Sequence, residues 1–179
     1  MRIYKCINCN AEVLCDNDRV IPEENGIFKM PGKYIEIGND DCGISANVDE
    51  DAEEGAAAEN NESQKVRVID IVHNNRLQQT SFDKPGYMAY IKGYMRNLVE
   101  KLRANNTPAD EIAAFQAGAQ AFVRSVVGSF DEWEFYYPDG GDEMDYETAM
   151  VIHVKWEGDD EAQLPIFHYF KAGLKAEKV

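Results

Sequence analysis

No apolar run in this chain approaches the roughly 18 residues that a membrane-spanning helix requires, so no membrane insertion is expected. The phosphate-cradling string Gly-x-x-x-x-Gly-Lys is missing, and so is the Gly-x-Ser-x-Gly elbow of a hydrolase nucleophile. Histidine is scarce. His73, His153 and His168 lie far apart in sequence, in or beside strand-like segments, and read as strand residues rather than as ligands or bases. Basic residues are also short: 18 Lys and Arg stand against 33 Asp and Glu, a net charge of −15. Such a chain is repelled by nucleic-acid phosphates and anionic membranes. It suits basic partners or divalent cations. Met1-Arg2-Ile3-Tyr4-Lys5 alternates like a strand and carries no signal-peptide core, so a cytoplasmic location is expected. On the residues alone the chain reads as an acidic interaction protein, not an enzyme.

Cysteine is limited to Cys6, Cys9, Cys15 and Cys42. Cys6-Ile7-Asn8-Cys9 has the spacing of a zinc knuckle or a redox pair, but a structural zinc site usually has a second pair. Cys15 and Cys42 could complete one only if the fold brought them together. Ordinary cytosolic thiols are the plainer reading, and metal or redox roles remain alternatives.

What is present is ordered around Val66 to Phe130. Val66 to Val72 is rich in β-branched residues and reads as a buried strand. Tyr87, Tyr90, Ile91, Tyr94, Met95, Leu98, Val99 and Leu102 then follow the i, i+3, i+4, i+7 spacing of an amphipathic helix. A second helix carries Ile112, Phe115, Ala119, Phe122, Val123, Val126 and Val127 on one face. Thr107 as cap, Pro108 at the first helical position, and Asp110 and Glu111 in the first turn mark its start. The break at Asn105-Asn106 is short, so an antiparallel helical hairpin over 84–128 is expected.

Before this stretch, residues 1–38 read as short strands at Met1 to Ile7, Ala11 to Leu14, Arg19 to Ile21, Ile27 to Met30 and Tyr34 to Ile37. Turns at Pro22 to Gly26 and Pro31-Gly32 separate the last three, which suggests a meander. Residues 39–65 are acidic and poor in large apolar residues after Val48. They are expected to form a mobile loop that cannot bury enough surface to order itself. Calcium binding there would draw on Asn47, Asp49, Glu50 and Asp51. Without EF-hand spacing it should be weak. After the hairpin, Trp133 to Tyr137, Thr148 to Trp156 and Pro165 to Phe170 read as strands, the last two as a β-hairpin. The order implies one α+β domain over 1–179.

The helical region is the exception to the acidity. Residues 80–130 hold six basic and four acidic side chains, a net +2, which leaves −17 for the rest. Lys92, Arg96 and Arg103 share the side of the first helix away from its apolar stripe. A basic strip on an acidic protein focuses attraction on an acidic partner.

Three strings, Val68-Ile69-Asp70-Ile71-Val72, Leu77-Gln78-Gln79-Thr80-Ser81-Phe82 and Tyr90-Ile91-Lys92-Gly93-Tyr94-Met95, resemble the translationally controlled tumour protein family. Ile3-Tyr4-Lys5 with Glu12 and Asp16, the acidic run after Ile44-Ser45-Ala46-Asn47, and the ending around Phe167, Phe170, Lys171 and Gly173-Leu174 extend the resemblance along the chain. It implies a β-tent fold of short, mostly antiparallel strands with an inserted helical hairpin, in the same fold group as a guanine-nucleotide-releasing chaperone of Rab GTPases. It also implies a non-catalytic role in cell growth and survival. The partners implied are a Ras-like, Rheb-type small GTPase and tubulin, with weak calcium binding. By position the GTPase-facing groove falls on Glu12, Leu77 and Asp139, and the tubulin-binding segment on the hairpin with Lys92 and Arg96. The chain departs from the family at Pro138-Asp139, where Gly-Glu is usual, and in ending on Val179 where a dimerising cysteine is common. A divergent, monomeric member is expected.

Overall fold

The computed structural model describes residues 1–38 and 65–179. Cys42 and the expected calcium ligands Asn47, Asp49, Glu50 and Asp51 lie outside the described residues, as does the acidic run 39–64. Among the described residues the elements are β1 (Arg2–Cys6), β2 (Glu12–Cys15), β3 (Glu23–Glu24), β4 (Ile27–Pro31), β5 (Tyr34–Ile37), β6 (Val66–Ile69) and α1 (Asp70–Asn74). Then follow β7 (Gln78–Thr80), α2 (Lys84–Ala104), α3 (Ala109–Gly128), β8 (Trp133–Tyr137), β9 (Ile152–Glu157), β10 (Leu164–Phe170) and β11 (Leu174–Lys178).

The described strands form three antiparallel sheets, in the orders β11-β1-β2, β3-β4-β10-β9-β8-β7 and β5-β6. The expected α+β class is what the chain adopts. The expected N-terminal meander is not. β1 and β2 join the last strand, β4 joins β10, and β5 pairs with β6 from beyond the acidic run. Turn spacing limits strand length but does not choose partners. β10 is buried along most of its length, so it lies between two neighbours, β4 and β9.

Four local expectations change. Arg19 to Ile21 is not a strand, because Asn17 and Asp18 are left-handed (φ 49° and 60°) and Arg19 N donates to Asp16 O at 2.9 Å in a tight turn. The short β3 lies inside the stretch read as a turn, and the turn itself is Asn25-Gly26, with φ 53° and 78°. Positive φ at both positions suits a two-residue hairpin turn. The strand expected over Val66 to Val72 stops at Ile69. The Asp70 carboxylate accepts from Lys33 N (3.0 Å) and Ile71 N (2.8 Å), which ends the ladder with β5 and starts α1. Likewise the strand expected from Thr148 begins at Ile152. The Tyr90 hydroxyl donates to Ala149 O (2.6 Å) and accepts from Val151 N (2.9 Å), occupying groups a strand neighbour would have used.

The helical hairpin spans 84–128 as expected. Asp83 caps α2 by accepting from Gly86 N at 2.8 Å. Thr107 does not cap α3. Its N–H donates to Leu102 O at 3.0 Å and closes α2 beside Asn106, which is left-handed at φ 60°. Pro108 therefore sits at the N-cap rather than inside the helix.

The hairpin packs on one face of the six-stranded sheet. Phe122 of α3 lies edge-on to Trp133 and Phe170, with ring centroids 5.5 and 5.6 Å away, and stacks on His168 at 5.5 Å. On β10 the alternate residue Tyr169 turns the other way and donates its hydroxyl to Val13 O of β2 at 3.0 Å. The smaller sheet is thereby tied to the opposite face. Tyr87, Tyr94, Leu98, Val126, Phe167 and His153 are fully buried.

Candidate partner-binding surfaces

Glu12 opens β2 opposite Lys5 of β1 and is exposed. It lines a cavity of about 250 Å³ together with Arg19, Asp70, Asn74 and Asn75. Asn74 also lines a second cavity of about 620 Å³, which includes His73, Arg76 and Leu77. α1 is thus a shared wall that joins the Glu12 side to the Leu77 side. Leu77 is only 6% exposed and belongs to the core. A partner would meet it at the cavity wall, not as a projecting anchor. Asp139 is exposed and lines neither cavity. It lies two residues past Tyr137, which pairs with Gln78, the neighbour of Leu77. Sequence reasoning missed α1 itself. The β-branched run read as strand, and only the Asp70–Lys33 contacts reveal the turn.

Lys92, Arg96 and Arg103 are all exposed on α2. Among the described residues, ion pairs engage Lys5 with Glu177 (2.8 Å), Lys171 with Glu23 (2.9 Å) and Lys155 with Glu132 (3.4 Å), while none engages these three. Glu100, on the same helix, pairs with none of them within 4 Å. Lys101 is committed elsewhere, donating to Ile7 O at 3.2 Å.

Cys6 and Cys9 come together in the turn between β1 and β2. Cys6 is buried and Cys9 is partly buried. The two thiols are coupled: the neighbouring Cys9 pulls the Cys6 thiol down, and Cys6 together with burial pushes Cys9 up. Cys15 bonds Asn17 instead, at 3.3 Å, and among the described residues no group of three His, Cys, Asp or Glu is placed to hold a metal. Two histidines that are remote in sequence are neighbours in space. His153 and His168 face one another across β9 and β10, both buried. Burial pushes both imidazoles down, His153 to about 3. They are strand residues, as expected, but their burial and their pairing are not visible in the sequence.

Short antiparallel strands in three sheets, with a long helical hairpin packed on the largest, define the class: a β-tent domain. The chain belongs to the translationally controlled tumour protein family, whose profile matches residues 1–175. It is similar to the translationally-controlled tumor protein homologs of Saccharomyces cerevisiae, 36% identical over 184 residues, and Mycosarcoma maydis, 36% over 179 residues, each across all of both chains. Among solved structures it is similar to the Translationally Controlled Tumor-associated Protein of Schizosaccharomyces pombe, with TM-score 0.76, 29% identity and full coverage of both chains. The fold is also that of the Caenorhabditis elegans protein, with TM-score 0.67 and 24% identity, covering 100% of this chain and 99% of that one. No helix among the described residues is long and apolar enough to cross a membrane.

Proposed function

We propose that this chain is a non-catalytic cytoplasmic interaction protein with two separate docking faces, serving cell growth and survival. The first face, Glu12 with the α1 wall and Asp139 beyond it, would receive a Ras-like, Rheb-type small GTPase. The basic face, Lys92 and Arg96 on α2, would receive tubulin or a similarly acidic surface. The observation that carries this reading is the uncommitted state of the α2 strip. Three exposed cations with no ion pair within 4 Å among the described residues are open to a partner. Calcium is a minor ligand in this reading, bound at roughly 10⁻⁴ to 10⁻³ M or weaker by carboxylates without a rigid frame.

The test is paired. A purified Rheb-type GTPase, loaded with GDP or with GTP, is captured on the immobilised chain, and polymerised tubulin is co-sedimented with it at low salt. Glu12→Lys should lose the GTPase and keep the microtubules. Lys92→Glu with Arg96→Glu should do the reverse. Binding of both partners by both variants would overturn the reading.

A further inference from the structure

The Cys6–Cys9 turn has no part in either docking face, yet it is built with unusual definition. Asn10 N donates to Cys6 O at 2.8 Å, Cys6 N donates to Ala11 O at 2.9 Å, and Asn10 takes the left-handed conformation that closes the turn, φ 60°. Both cysteines lie inside the turn that these bonds close, three residues apart, a spacing that a turn holds within about 7 Å and that a disulfide can bridge. The turn is also clamped from outside. Ile7 N donates to Gly173 O at 2.9 Å, Ile7 O accepts from Lys101 of α2, and Asn8 Nδ2 donates to Thr148 O at 2.8 Å. Backbone amides of Cys9, Met150 and Asn8 contribute to drawing the Cys6 thiol down. Amides beside a sulfur favour negative charge there.

We propose that Cys6 and Cys9 are a reversible oxidation site, a dithiol that peroxide converts to an intramolecular disulfide. The division of labour follows from exposure. Cys9 is partly exposed and meets the oxidant once its proton has passed to the neighbouring Cys6 sulfur, whereas Cys6 is shielded and resolves. Hydrogen peroxide transfers one oxygen to Cys9, giving a sulfenic acid and releasing water. The Cys6 sulfur then attacks the Cys9 sulfur. The S–S bond forms, the S–O bond breaks, and hydroxide leaves with a proton as a second water. The two thiols lose two electrons and two protons, and one peroxide becomes two waters. Both steps need a thiolate, and exposure rather than thiol acidity sets the order, because a proton moves readily between two sulfurs held in one turn. The clamps give the modification a readout. The new bond tightens a turn bonded to Lys101 on α2 and to Gly173 before β11, so oxidation reaches the helix that carries the basic strip.

The experiment uses the full chain with Cys15→Ser and Cys42→Ser, which leaves Cys6 and Cys9 as the only thiols. Stoichiometric hydrogen peroxide should remove both thiols together, leave a monomer lighter by two hydrogens, and be reversed by dithiothreitol. Adding Cys6→Ser should leave a sulfenic acid on Cys9 that dimedone traps. Adding Cys9→Ser instead should slow the reaction of Cys6 by about tenfold or more, because a shielded sulfur reacts poorly. Oxidation of one thiol to sulfinic acid while the other stays free would overturn the proposal. Retention of both thiols through the treatment would overturn it as well, and so would protection that a chelator removes, which would mark a metal site.

Discussion

The hydroxyl of Tyr87 and Nε2 of His153 lie 2.9 Å apart, and both side chains are completely buried. His153 Nδ1 faces Val151 O at 3.1 Å, and a carbonyl can only accept. Nδ1 therefore carries the proton, and Nε2 accepts from the tyrosine. The bond ties α2 to the middle of the large sheet. Tyr87→Phe should leave that nitrogen without a partner and cost about 1–3 kcal/mol, measured by urea unfolding at neutral pH. Unchanged stability would show that Nε2 finds another donor.

The same histidine sets a pH dependence. Folded, it stays neutral down to about pH 3 because burial excludes the imidazolium. Unfolded, it takes up a proton near pH 6.5. Between these values the unfolded chain binds more protons, so stability falls as pH falls. The slope from this one group reaches about 1.4 kcal/mol per pH unit and levels off below the folded value. His168 shifts the same way for the same reason and steepens the fall. Ring resonances of His153 that stay fixed from pH 7 to pH 5 would bear this out. A midpoint near 6.5 would refute it.

Gly118 of α3 is there for closeness. A Cβ at this position would come within 2.2 Å of Asn25 O in the β3–β4 turn. Gly118→Ala must push the helix off that turn or move the turn. The expected cost is about 1–3 kcal/mol, although alanine raises helix propensity by about 1 kcal/mol. A Tm at or above that of the parent chain would show that the turn yields freely.

The α2 strip predicts a variant that changes binding without changing the fold. Lys92→Glu with Arg96→Glu should keep stability within about 0.5 kcal/mol per site, since both side chains are exposed. Circular dichroism and thermal melting check this before any partner is added. A loss of helical signal would show that the strip is structural.

Glu12 and Leu77 should separate in the same way. Glu12→Lys sets a second cation opposite Lys5 and should cost about 0.2–1 kcal/mol. Leu77→Ala empties a core position and should cost about 2–5 kcal/mol. Loss of GTPase capture in Leu77→Ala alone would report damage to the fold, so the groove is judged on Glu12. A Glu12→Lys chain that melts several degrees lower would mean the residue serves the sheet.

The elements legible in the sequence are those whose signal is local. Tyr87 to Leu102 and Ile112 to Val127 repeat at helical spacing for several turns, and packing confirms each face. β7 was not legible. Gln78-Gln79-Thr80 is polar and short, and it becomes a strand only because Phe135 to Tyr137 lie beside it. α1 hid inside a β-branched run, because the signal that ends β6 is a hydrogen bond to Lys33, far away in the chain. The candidate surfaces divide likewise. Charge and exposure along α2 followed from helical geometry, whereas the burial of Leu77 and the cavity wall shared through Asn74 depend on which strands pair.

The pairing of β1 with β11 puts a delay into the making of the protein. β1 is synthesised before its partner Leu174–Lys178, and about 170 residues separate the two. At about 5–20 residues per second the first strand waits for roughly 10–35 s. During that interval one edge of Arg2–Cys6 is a free template beside an exposed Cys-x-x-Cys turn, open to a nascent neighbour on the same message. A chaperone or a trigger of aggregation would find its target there, before the native partner arrives.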